Sequence, residues 1–175
     1  QINEFTLRTQ INAKKKFYDK VKETNPEWLA YFNESVLHST CSVGQFREVL
    51  SCNDIIGTEG GFQFYSPASA VNIWRCGLSA KSAEAVSDGK PTVIFMAADH
   101  KCWSWHLHTP TETRLCYMST LANGASVWYG LHSASNLIKG ATGEAVRELV
   151  HFDKKHEKIY RDTSPASEAS LLFSI

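Results

Sequence analysis

The chain has 175 residues, 43% of them hydrophobic, and its eighteen basic side chains balance eighteen acidic ones. That length and apolar content suit one domain with a real core. The balanced charge gives no field that favours nucleic acid or an anionic membrane, and no run of about twenty apolar residues is present to span a bilayer.

In chain order, residues 1–24 predict a helix, with Leu7, Ile11, Phe17, Tyr18 and Val21 on one face and Lys14 as the misfit on it. Asn25-Pro26 ends it. Residues 28–33, Trp-Leu-Ala-Tyr-Phe-Asn, are too short for a helix and rich in aromatics, which predicts a strand buried on both faces. A short helix over 45–52 leads to a second strand, 54–59. After Gly60-Gly61, Ser66-Pro67 has the form of an N-cap followed by proline at the first helical position, opening a helix toward Val86. Asp88-Gly-Lys-Pro91 stops it. Residues 91–99 are the strongest predicted strand, with apolar residues on both alternating sets.

The loop that follows, His100-Lys-Cys-Trp-Ser-Trp-His-Leu-His108, concentrates three of the seven histidines and two of the five tryptophans. Thr109-Pro-x-Glu112 is a capping-box pattern and Asn123-Gly124 a left-handed C-cap, which bracket the next helix. Residues 125–132 form the fourth strand. A helix over 143–160 presents Ala145, Leu149, Phe152, His156 and Ile159 on one face. Ser164-Pro-Ala-Ser167 has the composition of a linker, and 169–175 predict a strand-like tail. Domain organisation is therefore 1–163 as one α/β unit and 164–175 as a linker with a strand-like tail.

Helix-then-strand alternation argues for a parallel sheet. Parallel sheets gather binding and catalytic groups at the C-terminal ends of their strands, because the βα loops converge there. Those ends offer Asn33, Glu34, Glu59, Asp99, His100 and His132. Trp103 and Trp105 could stack on pyranose faces, since their rings offer broad apolar area. His100, His106 and His108 with Cys102 raise the alternative of a metal-dependent hydrolase, although zinc ligation calls for tetrahedral convergence with a further ligand elsewhere.

The five cysteines, Cys41, Cys52, Cys76, Cys102 and Cys116, are odd in number and scattered, without a Cys-x-x-Cys pair. They read as free buried thiols and favour a reducing, cytoplasmic compartment. The chain starts at Gln1, which leads to the expectation that an upstream segment has been removed, a signal peptide conceivably with it.

Three stretches carry a resemblance: Asp54-Ile-Ile-Gly-Thr-Glu-Gly-Gly61, Lys90-Pro-Thr-Val-Ile-Phe-Met-Ala-Ala-Asp-His-Lys101 and Ala122-Asn-Gly-Ala-Ser-Val-Trp-Tyr-Gly-Leu-His132. Over roughly residue 17 to the C-terminus the chain resembles the second half of the (β/α)₈ TIM barrel of glycoside hydrolases related to β-galactosidases with a trimerisation domain. The resemblance implies that the four strands are the fifth to eighth of a barrel, and that Leu171-Leu-Phe-Ser-Ile175 is the first strand of a following, truncated domain. It also implies paired carboxylates about 5 Å apart, an acid/base after the fourth strand and a nucleophile after the seventh. The fourth strand is not in this chain. Relatives carry glutamate after the seventh, where this sequence reads Phe95-Met-Ala-Ala-Asp99.

The reading is a carbohydrate-active protein with Asp99 and Glu59 as catalytic candidates. Asn33, Glu34, His100, Trp103, Trp105 and His132 are its substrate-binding candidates. It needs no cofactor or metal and is incomplete or inactive as an isolated chain. A non-catalytic carbohydrate-binding or scaffold module is the alternative. Four strands of an opened barrel leave two unpaired edges. That predicts a homo-oligomer, or a partner supplying the missing half of the barrel.

Overall fold

The structure, a computed structural model, describes residues 2–34, 43–60, 74–98, 108–130 and 139–169. Helices and strands alternate: α1 (Ile2–Thr24), β1 (Asn33–Glu34), α2 (Val43–Ser51), β2 (Ile56–Glu59), α3 (Arg75–Val86), β3 (Thr92–Ala97), α4 (Pro110–Ala122), β4 (Ser126–Gly130) and α5 (Ala141–Tyr160). The four strands form one parallel sheet in the order β1-β2-β3-β4. The fold is α/β, and among the described residues each strand pairs with its neighbours in sequence.

Local chemistry accounts for the boundaries. The Thr109 hydroxyl accepts the Glu112 amide at 3.2 Å while the Glu112 carboxylate accepts the Thr109 amide at 2.7 Å, so the predicted capping box starts α4. Positive φ at Asp88 (55°) and Gly89 (82°) turns the chain after α3, and Gly124 (85°) does so after α4. Ser66-Pro67 falls outside the described residues, as do the end of the predicted third strand at Asp99 and residues 131–132 of the fourth. The Ser164-Pro165 stretch has no regular structure, and residues 170–175 of the predicted tail are not among those described.

Consecutive strand order has a spatial consequence. Crossovers between neighbouring parallel strands are almost always right-handed, so a sheet wound in one direction carries its connecting helices on one face. Ile56 and Ile94 pack with Leu50 of α2 and Ala80 and Ala83 of α3. Met96, with Val127 and Tyr129 against it, packs with Cys76, Cys116, Tyr117, Leu121 and Leu149. All five strand residues belong to one alternating set. On the other set Glu59, Val93 and Phe95 are half-buried and Trp128 is exposed, while Gly57 and Ala97 are buried. Among the described residues the helix-covered set is the more buried of the two, and on the first strand Trp28 and Leu29 are exposed where burial on both faces is expected. Cys52, Cys76 and Cys116 are buried thiols outside any disulfide, as the sequence suggests.

The first strand is also shorter than predicted. Trp28 and Leu29 are exposed, because β1 is an edge strand and these residues precede the start of the β2 ladder. Side chains replace that ladder. The Asp54 carboxylate accepts the Ala30 amide at 2.7 Å, and the Asn53 side-chain oxygen accepts the Phe32 amide at 2.6 Å. Asp54 also holds α1, through the Tyr18 hydroxyl at 3.1 Å and Lys22 at 2.9 Å. Burial raises the Asp54 carboxyl, but the Ala30 amide, Lys22 and Tyr18 outweigh it and hold the group below its usual value.

Between α4 and α5, burial first and then the Asp153 carboxylate push the Tyr117 phenol up to about 12. In the unfolded chain it ionises near 10. Because the folded state keeps the proton longer, this contribution is whole below pH 10 and is lost as pH rises toward 12. Thermal melts at pH 9 and pH 11 should therefore show a fall in Tm that Tyr117→Phe reduces. An equal fall in the variant would mean that Tyr117 does not ionise against the fold.

Candidate functional site

Side-chain alternation sorts the residues at the C-terminal edge onto two faces. Asn33 and Glu59 lie on the face opposite the connecting helices, and Glu34 on the other. Asn33 Nδ2 donates to Glu59 Oε1 at 2.9 Å, and the Tyr31 hydroxyl donates to Asn33 Oδ1 at 3.3 Å. Tyr31, Asn33 and Glu59 thus form a hydrogen-bonded row running from β1 to the end of β2. Burial, then the Glu34 and Glu59 carboxylates, push the Tyr31 phenol above its usual value, so it is a neutral donor at ordinary pH. Glu34 is buried and ion-paired with Lys14 of α1, with Asn53 Nδ2 at 3.4 Å. It holds α1 to the sheet and does not join the row.

An aromatic cluster adjoins this row. Register places Glu59 beside Phe95 and Phe95 beside Trp128, one line across three strands. The Phe95 and Trp128 rings are 4.8 Å apart with 55° between planes, and Tyr31 meets Trp128 edge-on at 5.9 Å and 77°. β1 and β4 are three strand spacings apart, about 14 Å in a flat sheet. Rings from the two outer strands touch because their side chains converge over β2 and β3, as on the concave side of a curved sheet.

Two glycines make room for the rings. A Cβ on Gly57 would stand 2.2 Å from Tyr31 Cε2, and one on Gly130 would stand 2.2 Å from Phe95 Cε2. Each ring therefore lies over the neighbouring strand where that strand has no side chain.

Asp99, His100, Trp103, Trp105 and His132 lie outside the described residues. Their anchors are described: the His108 amide donates to the Ala98 carbonyl at 2.8 Å, which brings together the two ends of the loop that carries Asp99, His100, Trp103 and Trp105. His108 itself is fully buried, and its carbonyl accepts the Thr142 hydroxyl at 2.7 Å. Among the described residues no group of three or more His, Cys, Asp or Glu side chains is arranged to hold a metal ion. His156, on the predicted apolar face of α5, packs its ring on Phe152 at 4.5 Å.

A second concavity, a groove of about 810 Å³, lies at the opposite edge of the sheet, between the Gly89 and Gly124 turns and the end of α5. Lys154 and Arg161 line it together with Asp153, Glu157 and Asp162, so its charges offset one another. The N-terminal edge of a parallel sheet serves mainly stability.

The described site therefore consists of the predicted Asn33 and Glu59 together with Trp128, whose place on the fourth strand suits pocket lining or packing equally, and Tyr31 and Phe95, which the sequence does not single out as site residues. Their signal lies in parity: Tyr31 is two residues from Asn33, so the two share a face once the strand is known. Comparison of the chain with protein-family models, with curated proteins and with solved structures finds no match in any of the three. No described helix is long and apolar enough to cross a membrane.

Proposed function

We propose that this chain is carbohydrate-active and forms the sugar-binding half of a glycoside hydrolase site of β-galactosidase type, built on half of a (β/α)₈ barrel. The observation that carries the reading is the Tyr31–Asn33–Glu59 row beside an aromatic cluster, at the C-terminal edge of the sheet and on its concave face. Sugars present hydroxyls at the rim of the ring and C–H groups on its faces, so they need hydrogen-bonding side chains next to aromatic area. Glu59 is the carboxylate in that row, and Asn33 orients it.

Asp99 is proposed as the second carboxylate. In sequence it lies four residues past Phe95, the residue paired with Glu59 on the neighbouring strand. The non-catalytic alternative uses the same face without turnover.

Strand order supports the barrel part of the proposal. Doubly wound sheets reverse direction at a switch point, whereas barrels run in sequence order. The described residues contribute five helices and four strands. A barrel has eight of each, so the described elements leave strands for a partner to supply, either a second copy of the chain or the missing half of the barrel. Exposed Trp28 and Leu29 next to β1, and Phe152 and Ile159 on α5, are the apolar flanks such a partner would cover.

Titration with a panel of methyl hexopyranosides tests the reading. Binding to the wild-type chain is expected to weaken about 10- to 100-fold in Glu59→Gln, the loss of one charge-assisted hydrogen bond, with Tm unchanged. Equal affinity in the variant would remove Glu59 from the site. Absence of wild-type binding to every sugar would remove the carbohydrate reading.

A further inference from the structure

Two cysteines of neighbouring helices meet inside the protein. Cys76 in the first turn of α3 and Cys116 in the middle of α4 are buried in one apolar cluster, and their thiols are hydrogen-bonded to each other. Packing alone does not ask for two sulfurs side by side, since a thiol is only a weak donor and acceptor. The helices are near at this level. Gly77, next to Cys76, has no side chain, and a Cβ there would stand 2.7 Å from Ser119 Oγ and 2.8 Å from Asn123 Nδ2. Close backbones are what a disulfide needs, because its Cβ atoms lie about 3.8 Å apart.

Cys76 also touches the end of β2. Its thiol donates to the Gly60 carbonyl at 3.2 Å, while the Gly60 amide donates to the Phe95 carbonyl at 3.1 Å. Gly60 follows Glu59, so the end of the strand that carries the carboxylate is tied to β3 on one side and to the Cys76 sulfur on the other. The single thiol proton of Cys76 goes to Gly60, and Cys76 therefore accepts from Cys116.

While α3 is closed, hydrogen bonding with Cys116 and then burial push the Cys76 thiol above its usual range, which keeps it protonated and inert. The start of α3 is where the helix opens most readily. Its N-cap residue, Trp74, makes no side-chain cap hydrogen bond and is 73% exposed, whereas α4 starts on a complete capping box. Fraying of that turn brings Cys76 to water, where a thiol ionises near about pH 8.5.

We propose that Cys76 and Cys116 are a reversible disulfide site whose state reaches Glu59 through Gly60. The oxidant is a small disulfide, oxidised glutathione. The Cys76 thiolate attacks one of its sulfurs, which forms a mixed disulfide and releases one glutathione thiolate. Cys116, its proton given up, then attacks the Cys76 sulfur and releases the second. Two protein thiols are oxidised, the S–S bond of the glutathione disulfide is reduced, and the two protein protons end on two glutathione thiols. Neither sulfur of the linked form carries a proton, so the Gly60 carbonyl loses its donor. The site goes beyond the carbohydrate reading and stands without it.

For the test, the full chain is held with oxidised glutathione at several urea concentrations below its unfolding transition, quenched with acid, alkylated in denaturant and mapped by peptide mass. The expected product has lost two of the five alkylatable thiols and contains Cys76 joined to Cys116. It forms faster as urea rises, melts about 5 to 10 °C above the thiol form and reverts with dithiothreitol. In a two-dimensional amide spectrum the Gly60 signal is expected to shift on oxidation. Five alkylatable thiols after prolonged incubation, glutathione left on Cys76, or a link through any other cysteine would overturn the site. So would a linked form that melts below the thiol form, because a pair preset by the fold closes without strain. A linked form with the Gly60 amide unmoved would overturn the connection to Glu59.

Discussion

Lys14→Met is expected to destabilise the protein by about 2 to 4 kcal/mol, read as a lower urea midpoint with an unchanged slope. The Glu34 side chain is only 8% exposed, and Lys14 is its cation. Removing one member of a buried pair leaves the other charge desolvated, which typically costs about 3 to 5 kcal/mol. Lys14 is 23% exposed, so water can reach the pair and the lower part of that range applies. Replacing Glu34 by leucine in the same variant should recover much of the loss, since an apolar pair of similar volume is often no worse than the ions. A single variant within 0.5 kcal/mol of wild type would mean that α1 is not docked through this pair.

Gly60→Val should cost about 3 kcal/mol or more, at the upper end of what overpacking a core does. A Cβ at this position would stand 2.5 Å from Ile94 Cγ2 and 3.1 Å from Ser79 Cβ. Ile94 is fully buried in the cluster under α3, so it cannot swing into solvent as a surface side chain would. The Gly60 backbone is committed as well, its amide donating to the Phe95 carbonyl at 3.1 Å and its carbonyl accepting the Cys76 thiol at 3.2 Å. Relief by moving the chain would therefore displace Glu59 next to it. Chemical denaturation measures the first effect. A variant as stable as wild type would show that α3 has room to retreat from the sheet.

The elements themselves were legible because their signals are local. Helix periodicity, the Thr109 box and the Asp88-Gly89 and Asn123-Gly124 turns lie within a few residues of the boundaries they set. Lys14 was legible only as an anomaly, since its partner is twenty residues away on a strand. The two faces of the sheet were not legible. Val93 and Phe95 are as apolar as Ile94 and Met96, so composition does not reveal which set faces the helices.

The site divides in the same way. Asn33 and Glu59 stand where strands end, and the general behaviour of parallel sheets marks those positions. Glu34 stands one residue from Asn33, and that single step carries it to the opposite face. Tyr31 and Trp128 come from opposite ends of the sheet, and only its curvature brings them together. Pairwise spacing in the sequence contains no trace of that contact.

Among the described residues each strand's strand neighbours are the ones adjacent in the chain, which gives the sheet the economy of a row of tiles. Every βα unit closes on the unit before it, so the sheet can assemble from contacts between neighbours in the chain and without threading. At the middle of that row β2 and β3 hold Glu59 level with Phe95, so the position of the carboxylate is set by units that have a strand on either side.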